Sequence, residues 1–246
     1  MNSFDDEVRQ RVEANGSNED LRRTGDEFMR ASIDAKYSYN FSWLGRPVIQ
    51  YPQDLVAMQE LIWTVQPDLI IETGIARGGS LVFLASMLEL LAACGGAANG
   101  RVIGIDIDIR ADNKAAIEQH PMARRITMVQ GSSIDAGIVA KVKSLAAGAK
   151  RVLVCLDSNH THDHVLAELQ AYAPLVSVGS YCVVFDTIVE DLPADMIHDR
   201  PWAPGNNPKT AVHEYLKSDP GFEIDRSVQH KLQITVAPDG FLRRVR

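Results

Sequence analysis

The sequence predicts an α/β protein with a mostly parallel central sheet, and three observations predict it. Five short β-rich runs alternate with helical segments, each run ends on an acidic or polar residue, and a glycine cluster separates the first run from the helix that follows. Strands joined by helices pair in parallel through right-handed crossovers.

Taken in order, the chain begins with a charged, helix-permissive stretch from Asp5 to about Arg30 that lacks a strong apolar stripe, so a peripheral helical arm is expected. The aromatic, proline-punctuated "YSYNFSWLGRPVIQYPQDL" follows as an ordered connector. "PQDLVAMQELIWTVQP" has apolar residues at helical spacing and stops at Pro67. The five runs are Leu69 to Glu72, Arg101 to Asp106, Ile126 to Gln130, Val152 to Asp157 and Tyr181 to Asp186. Near the C-terminus "KLQITVAP" and "GFLRRVR" flank a "DG" pair with no room for a helix, which reads as an antiparallel hairpin closing the sheet edge. The expected division is 1–50 for the arm and connector and 51–246 for the sheet domain.

At 246 residues the chain can bury a sizeable core, and a net charge of -7 argues against a general nucleic-acid or membrane-surface binder. No run approaches the roughly 20 apolar residues of a membrane span, and the polar "MNSFDDEVRQRVEANG" does not read as a signal peptide, so a cytoplasmic location is expected. Cys94, Cys155 and Cys182 lack metal spacing, and two of them sit in apolar runs as buried thiols.

In an open α/β sheet, ligands bind beyond the carboxyl ends of the strands. "IIETGIARGGSLVFLA" places Glu72 there, followed by Gly74, Gly78 and Gly79 and a helix beginning near Ser80. The G-x-x-x-G-G spacing matches neither the dinucleotide fingerprint nor the phosphate loop. Glu72 puts negative charge at the mouth, which favours a cationic ligand over a pyrophosphate. "VIGIDID" adds Asp106, a carboxylate able to accept both hydroxyls of a ribose, and "VQGSSID" adds Ser133 as a polar contact for a base. Together these resemble the S-adenosylmethionine site of class I methyltransferases.

"LDSNHTHDHV" runs into Asp157 and then His160, His162 and His164, while "VVFDTIVEDLP" runs into Asp186 with Glu190 and Asp191 beyond. Asp157 and Asp186 should emerge side by side, and adjacent carboxylates repel unless a hard cation such as Mg²⁺ neutralises them. The alternative is that they cap the following helix or turn. His160 is placed to take a substrate proton as general base. His162 and His164 read as capping and packing residues, and "HTHDH" falls one residue short of the binuclear zinc hydrolase signature.

These blocks, with "FSWLGRPVIQYPQDL" and "TVAPDGFLRR", resemble the cephalosporin hydroxylase family, which is built as a magnesium-dependent methyltransferase. The resemblance implies a Rossmann-like class I methyltransferase sheet, S-adenosylmethionine and Mg²⁺ as cofactors, a sugar or small natural product as hydroxyl acceptor, and a homo-oligomer. The chain is more distantly similar to catechol O-methyltransferase. There the corresponding pattern falls on Glu72, Gly74, Gly78 and Ser80, the ribose acid on Asp106, the loop serine on Ser133, and two metal carboxylates on Asp157 and Asp186. That enzyme's lysine falls at His160 and its third metal ligand at Thr187. In the antibiotic enzyme two acids end strand five, and here the first of that pair is Phe185, leaving Thr187, Glu190 or water to complete the shell.

The expected activity is S-adenosylmethionine-dependent O-methyl transfer, with Glu72, Gly74, Ala76, Gly78, Ser80, Asp106 and Ser133 at the cofactor, Asp157, Asp186 and Thr187 at the metal, and His160 with Asp157 in catalysis. The rivals are a metal-dependent hydrolase or hydroxylation component using the Asp/His cluster, and a noncatalytic cofactor-binding protein. "HDRPWAPGNNPKTAVHEYL" reads as a lid or a structural loop over the carboxyl edge, with Trp202 placed to stack on a sugar. Tyr37, Tyr39 and Trp43 raise the same possibility, with core packing as the other.

Overall fold

The five runs are apolar along their length because helices cover both faces of the sheet they build, so both alternating sets of side chains are buried. The computed structural model describes residues 3–197 and 200–246. Two helices, α1 (Ser3–Gly16) and α2 (Glu19–Asp34), lead into a small hairpin of β1 (Phe41–Trp43) and β2 (Arg46–Val48). Then come α3 (Pro52–Val65), β3 (Leu69–Thr73), α4 (Gly79–Ala93), β4 (Arg101–Asp106), α5 (Ala111–Glu118), β5 (Ile126–Gln130), α6 (Ala136–Ala146), β6 (Val152–Leu156), α7 (His162–Tyr172) and β7 (Tyr181–Val184). The last elements are α8 (Pro208–Ser218), β8 (Phe222–Ile224), α9 (Arg226–Leu232) and β9 (Phe241–Arg244).

The sheet runs in the order β5-β4-β3-β6-β7-β9-β8, parallel through β7 and antiparallel where β9 joins β7 and β8. Ile70, Leu153, Cys155 and Val183 face one core with α3 and α4; Ile71, Val154, Leu156 and Val184 face the other with α7 and α8. The order reverses between β3 and β6, the switch point at which such sheets open a crevice.

The antiparallel edge is present, but its partners differ from the expected pair. "KLQITVAP" forms no strand: Leu232 ends α9, Gln233 turns with φ of +60°, and the buried Asp54 carboxylate accepts hydrogen bonds from the Thr235 hydroxyl and the Val236 N–H. With β7 on one side and β8 on the other, β9 has no edge left to offer it. The strand ends also move: β6 stops at Leu156 and β7 at Val184, so Asp157 and Asp186 lie just past the ladder.

The arm is more amphipathic than its composition conveys. Gly25, Met29 and Ser32 in α2 are buried at helical spacing, a stripe one residue wide. Met29 joins the core with α3 and α4, and the Ser32 hydroxyl lies 2.7 Å from the Tyr51 hydroxyl. Cys155 and Cys182 are buried free thiols, and Cys94 is exposed. No helix among the described residues is long and apolar enough to cross a membrane.

The switch point depends on Gly74. Its φ is +90°, and a Cβ there would lie 1.9 Å from the Asp157 carbonyl oxygen, a clash between two backbones that no side-chain rotation relieves. Gly95, with φ of +91°, has open space around it. Gly74→Ala is therefore expected to destabilise the protein by about 3 kcal/mol or more, and Gly95→Ala by only about 1 kcal/mol, the cost of left-handed backbone alone. Urea denaturation checks this; equal losses would show that the Gly74 contact relaxes.

Candidate active site

Beyond β3 the chain passes through Gly74 (φ +90°), Ala76 (φ +47°) and Gly78 (φ +81°) before entering α4. Asp106, at the end of β4, shapes this turn. Its Oδ2 accepts the N–H groups of Ile75 at 2.8 Å and Ala76 at 3.1 Å, and its Oδ1 accepts that of Asp108 at 2.9 Å. A carboxylate has about four acceptor positions, so three are taken and one remains. Asp106 thus keeps one acceptor position open.

Two residues that sequence reading passed over hold the same turn. Asn113 donates its amide to the Ala76 carbonyl at 3.0 Å, and Arg46 donates through Nε to the Arg77 carbonyl at 3.1 Å. Arg46 also reaches Asn113 Oδ1 at 3.2 Å.

Glu72 is 3% exposed and accepts from the Ser80 hydroxyl at 3.0 Å. Burial pushes its carboxyl up to about 8. Burial likewise pushes Asp54 up to about 7, against the opposing effect of its bonds from Thr235 and Val236. Burial, then the charges of Asp186 and Glu72, hold the Asp157 carboxyl well above the usual carboxylate range. Gln50, from the connector, donates its amide to Asp157 Oδ2 at 2.9 Å.

Asp186 takes φ of +55°, a left-handed backbone that Asp tolerates better than most residues. Its Oδ2 lies 3.1 Å from His160 Nε2. One ligand atom each from Asp157, His160 and Asp186 fall within 4.8 Å of one another, a set able to hold a metal ion. Two half-buried carboxylates and an imidazole nitrogen this close together are donors a cation can use, so the residues fit one.

Thr187 and Glu190 each make bonds of their own nearby. The Thr187 hydroxyl is buried and donates to the Pro238 carbonyl at 2.7 Å. Glu190 Oε2 accepts the Gly205 N–H at 2.7 Å and the Asn207 amide, tying down the loop before α8. His162 and His164 stay outside the metal-capable set. His162 bonds to Thr210 at 2.8 Å and pairs with Glu214 at 3.2 Å. His164 Nε2 sits among Ser133 Oγ at 3.1 Å, Ser158 Oγ at 3.2 Å and Glu168 Oε1 at 3.4 Å. Ser133 is 5% exposed, and its carbonyl accepts the Tyr172 hydroxyl at 2.6 Å. It therefore holds the β5 loop onto α7. Ile107 and Ile134, one position after Asp106 and Ser133, are 71% and 42% exposed, an apolar pair that the search for polar residues missed.

The three metal-capable residues reach a cleft of about 790 Å³ that also exposes Tyr39, Met196 and Trp202. Trp202 sets its ring edge against His160, with centroids 4.7 Å apart at 88°. His198 and Asp199, which open the expected lid segment, lie outside the described residues. Tyr37 and Trp43 pack inward, Tyr37 against Tyr51 and Phe41, and Trp43 against Phe83 with its Nε1 donating to Ser86.

Residues 35–245 match the family model described as Rhamnosyl O-methyltransferase/CmcI. The chain belongs to this family. The O-methyltransferase class expected from the sequence stands with that membership. The Rhamnosyl O-methyltransferase of Mycobacterium tuberculosis is 31% identical over 198 residues, 78% of this chain and 73% of the relative. Its Mycobacterium leprae counterpart is 27% identical over 209 residues, 82% of each chain. Among solved structures, a CmcI with Mg and SAM gives a TM-score of 0.57 at 21% identity, covering 85% of this chain and 78% of its own. MycE in complex with Mg, SAH and Mycinamycin VI gives 0.51 at 16% identity, covering 89% and 53%. These likenesses agree with the class I methyltransferase fold.

The buried acids set a pH dependence. In the folded chain Glu72 and Asp54 keep protons to about 8 and about 7, whereas the unfolded chain releases them in the ordinary carboxylate range. The folded state thus binds more protons through that window, so stability falls as pH rises across it. Thermal melts at intervals across this window are expected to show that decline, and a shallower one in Glu72→Gln. A parallel decline in the two proteins would remove Glu72 as a source.

Proposed function

We propose that the enzyme transfers the methyl group of S-adenosylmethionine to a hydroxyl of a sugar, rhamnose as in the relatives' names, with Mg²⁺ held by Asp157 and Asp186. The observation that carries this reading is the convergence of Asp157, His160 and Asp186 on one point of the aromatic-walled cleft.

The cofactor, when bound, supplies a methyl group on a positively charged sulfur. Glu72, beside the glycine turn, meets that charge once it gives up its proton. Asp106 has one acceptor position for a ribose hydroxyl, and Ile107 and Ile134 offer apolar surface to the adenine. Mg²⁺, when bound, neutralises the two aspartates and lowers the pKa of an acceptor hydroxyl. Magnesium prefers oxygen ligands to imidazole, which leaves His160 free to take the acceptor's proton. With Nε2 turned to Asp186, the basic nitrogen is Nδ1, and the Trp202 edge fixes the ring plane. Trp202 and Tyr39 are available to cover the apolar face of a pyranose.

Calorimetric titration of the chelator-treated protein is expected to show binding of S-adenosylmethionine, and a separate Mg²⁺ titration should saturate one site. Asp106→Ala should weaken the cofactor by about tenfold, the loss of one charge-assisted hydrogen bond. An unchanged dissociation constant would remove that contact. Asp157→Asn should keep the cofactor but lose both Mg²⁺ and methyl transfer to a rhamnoside; full activity in this variant would sink the metal assignment. His160→Gln is expected to lower kcat by about a hundredfold or more with Mg²⁺ binding intact. Loss of the metal in that variant would instead make His160 a ligand.

A further inference from the structure

A second cavity, of about 510 Å³, lies under the arm and has no part in the chemistry above. Three neighbouring features place it directly beside the catalytic cleft. Met29 of α2 lines this cavity and Ile33 lines the cleft, and residues four apart stand on one helix face about 6 Å from each other. Ile188 and Leu192 line both spaces, so at each of them a single residue divides the two. Thr235 borders the cavity and the next residue, Val236, borders the cleft. From Arg22 to Ile33 the shared wall of α2 is about 16 Å long at 1.5 Å per residue, enough for more than one pyranose ring in line.

The lining tells what chemistry fits. Three basic side chains, Arg22, Arg30 and Lys209, meet three acidic ones, Asp26, Asp191 and Asp239, so the charges balance. Lys209 is already paired with Asp191. Gln229 and Gln233 add amides that both donate and accept. A phosphate would want an excess of positive charge, and a nucleobase would want a broad aromatic wall, where this cavity has only the His230 imidazole and no Phe, Tyr or Trp among its described residues. A neutral ligand dense in hydroxyls uses donors and acceptors in equal measure.

We infer that this cavity is a second acceptor subsite, which binds the carbohydrate unit adjoining the sugar that is methylated. The inference rests on the sugar O-methyltransferase reading. It assigns specificity to α2: the cleft positions the reacting hydroxyl, and the arm selects an acceptor longer than one sugar.

The test compares methyl α-L-rhamnoside with a rhamnose-terminated trisaccharide as acceptors of the full-length, metal-loaded enzyme, alongside calorimetric binding of each acceptor alone. The double variant Asp26→Ala, Arg30→Ala changes two exposed positions of α2. For the unaltered chain, kcat/KM and affinity should favour the trisaccharide by about tenfold or more, the equivalent of one or two good hydrogen bonds. The double variant should lose that advantage, with its kcat/KM for the monosaccharide within about twofold of the unaltered chain. A trisaccharide no better than the monosaccharide, or an advantage that survives in the double variant, overturns the subsite. Methylation of neither acceptor, by a protein that binds S-adenosylmethionine and Mg²⁺, overturns the sugar methyltransferase reading itself, and the subsite with it.

Discussion

The site depends on how closely the ends of β3 and β6 approach. At Gly74 the chain leaves β3 against the carbonyl of Asp157, with no side chain between them. That contact puts the glycine turn and the first metal-capable residue on adjacent stretches of backbone, at the point where strand order reverses. A Cβ would force the two apart, and with them the turn from the acidic cluster. The fold therefore couples its cofactor-side and acceptor-side features through backbone packing and not through a side chain that could rotate away.

Electrostatics works against this packing. Asp54, Glu72 and Asp157 are brought out of water, Asp54 and Asp157 also near Asp186, and the carboxyl pKa values of all three rise as a result. Hydrogen bonds from Ser80, Thr235, Val236 and Gln50 offset part of the desolvation, yet none of these donors brings a positive charge. Protonation and site occupancy are linked in such an arrangement, because a cation that binds Asp157 competes with the proton that burial retains there.

Much of this was legible in the sequence. The alternation of apolar runs with helical segments located the five parallel strands to within two residues, because buried strands have uniform apolar composition and end abruptly at polar residues. The acids at their ends could be named for the same reason. The C-terminal hairpin was misread because "QITVAP" looks like a strand, while its backbone is bound by Asp54, some 180 residues earlier in the chain. Thr187 was expected at the metal from the resemblance to catechol O-methyltransferase, with Glu190 or water as alternatives, and the bonds of these two residues to Pro238 and to the Gly205 loop have no local signature. Arg46, Gln50 and Asn113 left no local trace at all. Each acts on a partner distant in sequence, and a bond of that kind has no periodicity or spacing to betray it.

Asp106 carries one more implication. Its carboxylate is bound by three backbone N–H groups, two of them from the turn it faces. With Asn113 and Arg46 fastening the carbonyl side, the loop is rigid before any ligand arrives. Conformational entropy that a floppy glycine loop would surrender on every encounter has here been surrendered once, during folding. Association with a small molecule at this turn should accordingly resemble a lock accepting its key, with rates set by diffusion and desolvation and little contribution from loop rearrangement.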